Sequence, residues 1–403
     1  MEQERYHRGW ETLKQVDGEV GEQVIANLAN IAPDLGRFVV EFGFGDVISR
    51  PGLDLKAREI ATVAALTALG NAVPQLKVHI HGMLNVGCTR QEVVELMIQM
   101  AVYSGFPSAL NGIAAAKEVF RERDEKGLKE ARLPAVTETV VHLGDHDTIV
   151  WDNHGDGPPI VLLHALSLDH RMWRDVYPHL AAVGRVITYD LRGHGRARGA
   201  PKATSLDQLA NDTQMLLDIL EIEQADVYGA SYGGAIAQHI ALNYPERVRS
   251  LAIIATFSKA PQALLEGRAE AAERDGMEAQ VGVSLMRWFF PATIAQNGWA
   301  VRYARECIRH ARVEDWAAAW RTMARLDVFD KLGQLQMPTL VTGGKNDLST
   351  TPDVMLEIAR AIPNATYKLI DPGTHMMILE QPAALSAELV AFRKYIDTMA
   401  PLW

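Results

Sequence analysis

The segment Asp226-Val-Tyr-Gly-Ala-Ser-Tyr-Gly-Gly234 sets Ser231 between Gly229 and Gly233. The apolar run before it reads as a strand and the sequence from about Gly234 as a helix, so the serine falls on the turn between them. Small residues two positions to either side let that turn be sharp, lifting a strained hydroxyl above the sheet edge. A serine hydroxyl is a poor nucleophile until a base accepts its proton, and the base must itself be oriented by a carboxylate. Two later segments offer these partners. Val341-Thr-Gly-Gly-Lys-Asn-Asp347 follows one strand-like run, and Pro372-Gly-Thr-His375 follows another, Tyr367-Lys-Leu-Ile370. Ser231, Asp347 and His375 therefore stand in the order serine, acid, histidine, and are expected to converge at strand C-termini. The plainer readings are a turn aspartate and a loop histidine. The attacked carbonyl oxygen needs donors as its charge develops, and the backbone N–H groups of Tyr232 and Leu166 are the natural pair. His194, in Asp190-Leu-Arg-Gly-His-Gly195, is read as structural.

Such a convergence requires a sheet. Short β-rich runs, Ile160-Val-Leu-Leu163, Val186-Ile-Thr-Tyr189, Asp226-Val-Tyr228, Leu251-Ala-Ile-Ile254 and Thr339-Leu-Val341, alternate with helical segments. That alternation predicts a mostly parallel, doubly covered sheet. It lapses from about 257 to 330 into helix-like sequence, where a helical cap is expected. Residues 1 to 123 instead carry helical periodicity. One helix is predicted after Asp54 from Leu55 to Leu69, stopped by Gly70-Asn71, and another from Thr89, whose spacing to Glu92 is a capping box. Both are expected to be mostly buried. The charged stretch from Arg121 to Pro134 reads as a helix tail entering a linker. The expected layout is thus two domains: an all-α domain over 1–125, a linker over 126–135, and an α/β domain over 136–403.

Composition excludes several classes of function. The chain has 403 residues, is 48% hydrophobic and 22% charged, and carries a net charge of −10 without a basic block. A nucleic-acid backbone would meet repulsion rather than counterion release. No run approaches the roughly 18 apolar residues of a membrane span, and Met-Glu-Gln-Glu-Arg does not read as a secretory leader, so the expected location is cytoplasmic. Cys88 and Cys307 are the only cysteines, without CxxC or Cys/His spacing, and are read as buried thiols. Neither a metal nor an organic cofactor is expected.

Several motifs give residues 136–403 a specific resemblance to α/β-hydrolases, and among them to 3-oxoadipate enol-lactone hydrolases. They are Leu166-Ser-Leu-Asp-His-Arg-Met-Trp173, Tyr189-Asp-Leu-Arg-Gly-His-Gly195, Arg287-Trp-Phe-Phe-Pro291, and Gly373-Thr-His375 with Glu380-Gln-Pro382. The resemblance implies an α/β-hydrolase fold in which Trp173 and Trp288 line the substrate pocket. Where that family usually carries Asn-Ser before Leu166, this chain has His164-Ala165.

Residues 5–120 resemble the carboxymuconolactone decarboxylase family, from Arg5-Tyr6 through Ser49-Arg-Pro-Gly-Leu-Asp54 to Ala101-Val-Tyr-Ser-Gly-Phe-Pro-Ser-Ala-Leu-Asn111. The related alkylhydroperoxidases carry a CxxC pair before a histidine that aligns with His79, and Ala72 and Gln75 occupy those positions here. Without a dithiol, proton chemistry remains. His79 and His81 point about 200° apart around a helix, so one of them is expected to be the site residue. The family match favours His79, while His81 falls where relatives often carry a basic residue and is kept as a substrate-binding candidate. Glu59, at the edge of an apolar helix, is the expected acid, its plainer reading being a solvated charge paired with Arg58 or Lys56. Arg50 and Arg58 are candidates to hold a substrate carboxylate.

Together the resemblances imply a bifunctional enzyme of the β-ketoadipate (protocatechuate) pathway. The helical half would decarboxylate 4-carboxymuconolactone and the hydrolase half would open the resulting enol-lactone to 3-oxoadipate. Small-molecule lactones and carboxylates are the expected partners, and a trimer or hexamer through the helical domain is the expected assembly. The alternative is an esterase or lactonase of other specificity whose helical domain is a non-catalytic scaffold. A third reading, a ligand receptor without turnover, is disfavoured by the full set of Ser231, Asp347 and His375.

Overall fold

The structure, a computed structural model, describes residues 2–50, 52–128 and 136–399. Two compact units divide the chain, residues 1–133 and 134–403. Most of the expected linker, residues 129–135 with Pro134, lies outside the described residues, as does Pro51.

The first unit is helical. It comprises α1 (Glu2–Val16), α2 (Gly18–Leu28), α3 (Pro33–Phe38) continuing into a π-helical stretch Val39–Ile48, α4 (Leu55–Leu69), α5 (Val73–Asn85), α6 (Arg90–Tyr103) and α7 (Phe106–Glu125). The Asp54 carboxylate accepts the Ala57 N–H at 2.7 Å and starts α4, and Gly70 ends it with a left-handed φ of 73°. The Thr89 hydroxyl and the Glu92 carboxylate close a reciprocal capping box at the start of α6. Val63, Ile80, Met83, Met97 and Val119 from α4 to α7 share one buried core. The expectation that α4 and α6 are mostly buried fails, because only Glu59, Val63 and Thr67 of α4 and Val93, Met97 and Met100 of α6 are buried, leaving Leu69, Ile98, Val102 and Tyr103 exposed. Apolar composition on every face of a helix says that it is to be covered, not that its own chain covers it.

The second unit is built on eight strands: β1 (Thr137–His142), β2 (Asp147–Asp152), β3 (Pro159–Leu163), β4 (Arg185–Tyr189), β5 (Ala225–Ala230), β6 (Val248–Ile254), β7 (Thr339–Gly344) and β8 (Ala365–Ile370). Their order is β1-β2-β4-β3-β5-β6-β7-β8, antiparallel at the first two pairings and parallel elsewhere. Helices α8 (Tyr177–Ala181), α9 (Leu206–Ile219) and α10 (Tyr232–Asn243) come before the cap, and α15 (Pro352–Ala361), α16 (Met377–Glu380) and α17 (Pro382–Met399) after it. The cap itself is α11 (Gln262–Trp288), α12 (Pro291–Gln296), α13 (Trp299–His310) and α14 (Val313–Ala324).

Two features of this unit place the site. First, β5, β6 and β7 run parallel with Ala230 beside Ile254 and Ile254 beside Thr342, so the loops carrying Ser231 and Asp347 leave the same sheet edge. The loop after β8, paired with β7 through Gly344 and Ile370, brings His375 to that edge. Second, the cap leaves and rejoins the sheet through a narrow neck. Lys259 bridges Asp327, the Ala260 N–H donates to the Leu326 carbonyl at 2.8 Å, and the Val328 N–H to that of Ser258 at 2.8 Å.

Candidate active sites

Ser231 sits between β5 and α10 with φ 52° and ψ −111°, a conformation that costs an L-residue energy and persists only where the surroundings enforce it. The enforcement comes from its glycines. A Cβ on Gly229 would stand 2.1 Å from the Gly233 carbonyl oxygen, and one on Gly233 would stand 2.2 Å from that of Leu163. Gly229→Ala is therefore expected to cost about 3 kcal/mol or more and to lower Tm by several degrees. Gly267→Ala in α11, where an added methyl meets nothing within 4 Å, should leave Tm unchanged or slightly higher. Equal melting temperatures for the two variants would contradict this account of the turn.

The Ser231 hydroxyl lies 3.1 Å from His375 Nε2, and His375 Nδ1 lies 2.8 Å from Asp347 Oδ2. Asp347 is buried. Its Oδ1 accepts the N–H groups of Ser349 (2.7 Å) and Thr350 (3.0 Å), and its Oδ2 also accepts the Thr350 hydroxyl (2.6 Å). Burial alone would raise its pKa, but the neighbouring His375 and these hydrogen bonds more than offset it, and the carboxyl sits below its ordinary value. With its acceptor capacity filled, the carboxylate can orient the imidazole and stabilise an imidazolium. The N–H groups of Leu166 and Tyr232 make no backbone hydrogen bond outside regular elements among the described residues, and both residues line the cavity over Ser231.

His164, one of the two departures from the family's usual residues, has an internal role. It is fully buried, its Nδ1 is 2.9 Å from the Ala165 carbonyl and its Nε2 accepts the Leu191 N–H at 2.9 Å. Burial pushes its pKa down to about 4, so the ring is a neutral strut between the loops after β3 and β4. His194 is also buried and lies between the rings of His164, which it meets edge-on, and Tyr232, to which it is tilted. Glu380 ties the cap to the histidine loop, accepting the Phe290 N–H at 3.0 Å and the Thr374 hydroxyl. Trp288 lines the cavity, but Trp173, expected there too, is fully buried and does not. The short 3₁₀ turn His170–Trp173 after the Leu166 loop carries it into the sheet core instead.

In the helical unit, His79 and His81 of α5 point to different surroundings. His79 Nδ1 is 3.0 Å from Glu59 Oε2 of α4 and 3.6 Å from Asp17 Oδ1, at the junction of α1 and α2. Glu59 is fully buried and Asp17 nearly so, and one oxygen of each, Glu59 Oε1 and Asp17 Oδ1, has no hydrogen-bond partner among the described residues. Gly82 makes the room, since a Cβ there would stand 2.6 Å from Glu59 Oε2. Burial, partly countered by His79, raises the pKa of Asp17 to about 7. For His79, burial opposes the charged form, but the Glu59 hydrogen bond and the two acids outweigh it and raise its pKa. Asp17, Glu59 and His79 bring their ligand atoms within 4.8 Å of one another, a donor set that a shared proton or a divalent cation can bridge.

The remaining candidates lie apart from this cluster. His81 faces Glu122 and Arg123 of α7, each 3.4 Å away, and burial lowers its pKa. The Arg58 guanidinium is taken up by the carbonyls of Arg50 (2.7 Å) and Leu53 (3.2 Å), and Arg50 is exposed. Glu59 pairs with His79 rather than with Arg58 or Lys56, and Lys56 binds Glu92 at 2.7 Å. Both cysteines are buried, and burial pushes the Cys88 thiol up to about 12. Sequence reasoning missed Asp17, Thr350 and Arg268. The only signal for Asp17 was an acid beside a helix-breaking glycine, and Arg268, flanked by Glu266 and Glu270, reads as a surface residue.

Comparison with known proteins fits both units. The sequence model for the alpha/beta hydrolase fold matches residues 158–382, and that for the carboxymuconolactone decarboxylase family matches residues 33–118, a span that excludes Asp17. A 3-oxoadipate enol-lactonase of Acinetobacter baylyi is 30% identical over 243 residues, 60% of this chain and 91% of that protein. The crystal structure of the enol-lactonase from Burkholderia xenovorans LB400 superimposes with TM-score 0.61 at 27% identity, covering 63% of this chain and 99% of that one. A thermophilic esterase from Thermogutta terrifontis, with malate bound, gives 0.60 at 26% identity, covering 64% and 99%.

Proposed function

The chain belongs to the alpha/beta hydrolase family and carries a carboxymuconolactone decarboxylase family domain; from there we propose that one polypeptide catalyses consecutive steps of the β-ketoadipate pathway. The helical unit decarboxylates 4-carboxymuconolactone, and the hydrolase unit opens the enol-lactone to 3-oxoadipate.

In the first step the substrate loses CO2 from a carbon γ to its unsaturated lactone carbonyl. The electron pair left behind spreads into the ring as an extended enolate, so the substrate is its own electron sink. What the protein must supply is a proton to the carbon next to that carbonyl. Asp17, Glu59 and His79 are the groups positioned to hold and deliver it, and Asp17 retains its proton to about pH 7. In the second step Ser231 Oγ attacks the lactone carbonyl as its proton passes to His375 Nε2, and the oxyanion is met by the N–H groups of Leu166 and Tyr232. Collapse breaks the ring C–O bond, and the enol oxygen leaves with the proton from His375 and tautomerises to a ketone. Water then attacks the acyl-serine, with His375 again as base. The observation that carries this step is the continuous line from the Ser231 hydroxyl through His375 to Asp347, at 3.1 and 2.8 Å.

The test is to supply 4-carboxymuconolactone labelled with ¹³C and follow it by NMR. CO2 and 3-oxoadipate are expected together, and an inert substrate would overturn the pathway reading. The second reading, an esterase with a helical scaffold, draws on the thermophilic esterase's similarity. It predicts ester hydrolysis with no CO2 released.

A trimer or hexamer through the helical unit is part of the proposal. Ile98, Val102, Tyr103, Phe106 and Leu110, around the α6–α7 turn, are all more than half exposed, and an association surface would take these large apolar side chains out of water. Val102→Glu with Phe106→Glu is expected to reduce the assembly to monomers in light scattering while ester hydrolysis survives. Among the described residues no helix is long and apolar enough to cross a membrane.

A further inference from the structure

Two buried carboxylates of the helical unit, Asp17 and Glu59, face a single imidazole, and among the described residues His79 is the sole ion-pair partner of either. Even with that ring protonated, one negative charge is left over where water does not reach, which is costly unless a further cation arrives. The oxygens converge on one space. A Cβ on Gly82 would stand 2.6 Å from Glu59 Oε2 and 3.1 Å from Asp17 Oδ1, so both line the room that a side chain would fill. Asp17 Oδ1 has no hydrogen-bond partner among the described residues and faces His79 Nδ1 from 3.6 Å. A second trio of comparable spacing, Asp169, His170 and Asp190, is already matched. Arg171 (2.8 Å) and the Tyr303 hydroxyl (3.1 Å) take up Asp169, and the N–H groups of His170 (2.9 Å) and Arg196 (2.7 Å) take up Asp190.

We propose that Asp17, Glu59 and His79 bind one divalent ion of the zinc class, which takes the place of the proton that the cluster would otherwise deliver. The spacing suits such an ion. Ligand atoms about 2.0–2.1 Å from a tetrahedral zinc stand about 3.3 Å from one another. Here His79 Nδ1 is 3.0 Å from Glu59 Oε2 and 3.6 Å from Asp17 Oδ1, and all three ligand atoms lie within 4.8 Å. Two carboxylates neutralise the ion, and the neutral ring adds a lone pair from Nδ1 with its proton on Nε2. An imidazole beside two carboxylates favours a borderline ion over magnesium, which demands six oxygen ligands in a near-ideal octahedron. His79 keeps 19% of its side chain exposed, so water can supply a fourth ligand. Entry of the ion releases the protons the cluster holds, and the loaded unit has none to give to an enolate. That consequence rests on the decarboxylase reading, whereas the site itself does not.

The test titrates Zn²⁺ into the full chain, first stripped of metal, in competition with a chromophoric chelator. The wild type is expected to take up one ion per chain with Kd of about 1 μM or below. Asp17→Asn and Glu59→Gln, which keep each side chain's shape, should each weaken uptake by about 100-fold or more, and His170→Gln should leave it unchanged. Co²⁺ bound to the wild type gives a second readout that needs no variant: visible bands of a four-coordinate ion without thiolate charge transfer. No uptake, uptake that survives both acid substitutions, loss in His170→Gln, or a six-coordinate or thiolate spectrum would each overturn the site. With 4-carboxymuconolactone, CO2 release should fall in step with occupancy and return on adding a chelator, while ester hydrolysis at Ser231 stays constant. Undiminished CO2 release at full occupancy would overturn the exchange of ion for proton. If the metal-free chain releases no CO2 yet binds Zn²⁺ as expected, the decarboxylase reading alone fails.

Discussion

Ser231→Ala is expected to stop the pathway halfway. Given 4-carboxymuconolactone, the variant should release CO2 at the wild-type rate and accumulate enol-lactone, with 3-oxoadipate formation down by about 10⁴- to 10⁶-fold. The size of the loss follows from the arrangement. Without the hydroxyl, His375 has nothing to deprotonate for attack within the cavity, and the remaining Leu166 and Tyr232 donors stabilise an oxyanion that no enzyme nucleophile forms. His375→Ala should cost about as much, and Ser231→Ala with His375→Ala little more, because residues acting as a unit do not add. Asp347→Asn should cost less than either, since the ring would stay placed while its tautomer and charge were disfavoured. Additive losses in the double variant would mean that the serine and histidine do not work on one proton. Persistent 3-oxoadipate formation in Ser231→Ala would assign hydrolysis elsewhere.

The hydrolase half was legible in the sequence because its chemistry is tied to local rules. The glycines at 229 and 233 are dictated by carbonyl oxygens little more than 2 Å from where a side chain would start, and chain order alone then selects Asp347 and His375. The fully buried strands β5 and β7 announce themselves as apolar runs. The antiparallel pair β1 and β2 went unread because one face of β1 is open to solvent and its Thr-Glu-Thr start carries no apolar run. Helical periodicity separated His79 from His81, yet no local pattern could bring Asp17 to them. That contact spans more than sixty residues and depends on how α1 crosses α5. The place of Arg268 in the cavity lining was hidden for a related reason: sequence gives a charge its neighbours along the helix, while its surroundings in space are fixed only by packing. Trp173 shows the converse, a motif residue whose placement in the core no motif specifies.

The corresponding expectation for the helical unit is that Glu59→Gln and His79→Ala each lower decarboxylation by about 10²- to 10⁴-fold, with ester hydrolysis and the oligomer unchanged. Unchanged CO2 release in both would leave the unit a scaffold. Asp17 gives the test a sharper edge through pH. Its folded pKa of about 7 lies above the ordinary 3.8, so the folded chain keeps a proton that the unfolded chain releases across that window. Stability from this group is therefore full below about pH 4 and lost as pH rises through 7. The raised pKa of His79 acts in the same sense, its contribution being lost as pH rises through its folded value. A proton donor drawn from this cluster imposes the same sign on the rate, which should fall on the alkaline side as Asp17 ionises. Asp17→Asn keeps the shape and removes the ionisation, so its profile should lose the limb near pH 7 while its rate at low pH drops. An Asp17 that merely packed against Gly82 would change the overall rate and leave that limb where it was. The position of the limb, rather than the size of the loss, therefore decides whether a residue outside the family-matched span belongs to the proton path.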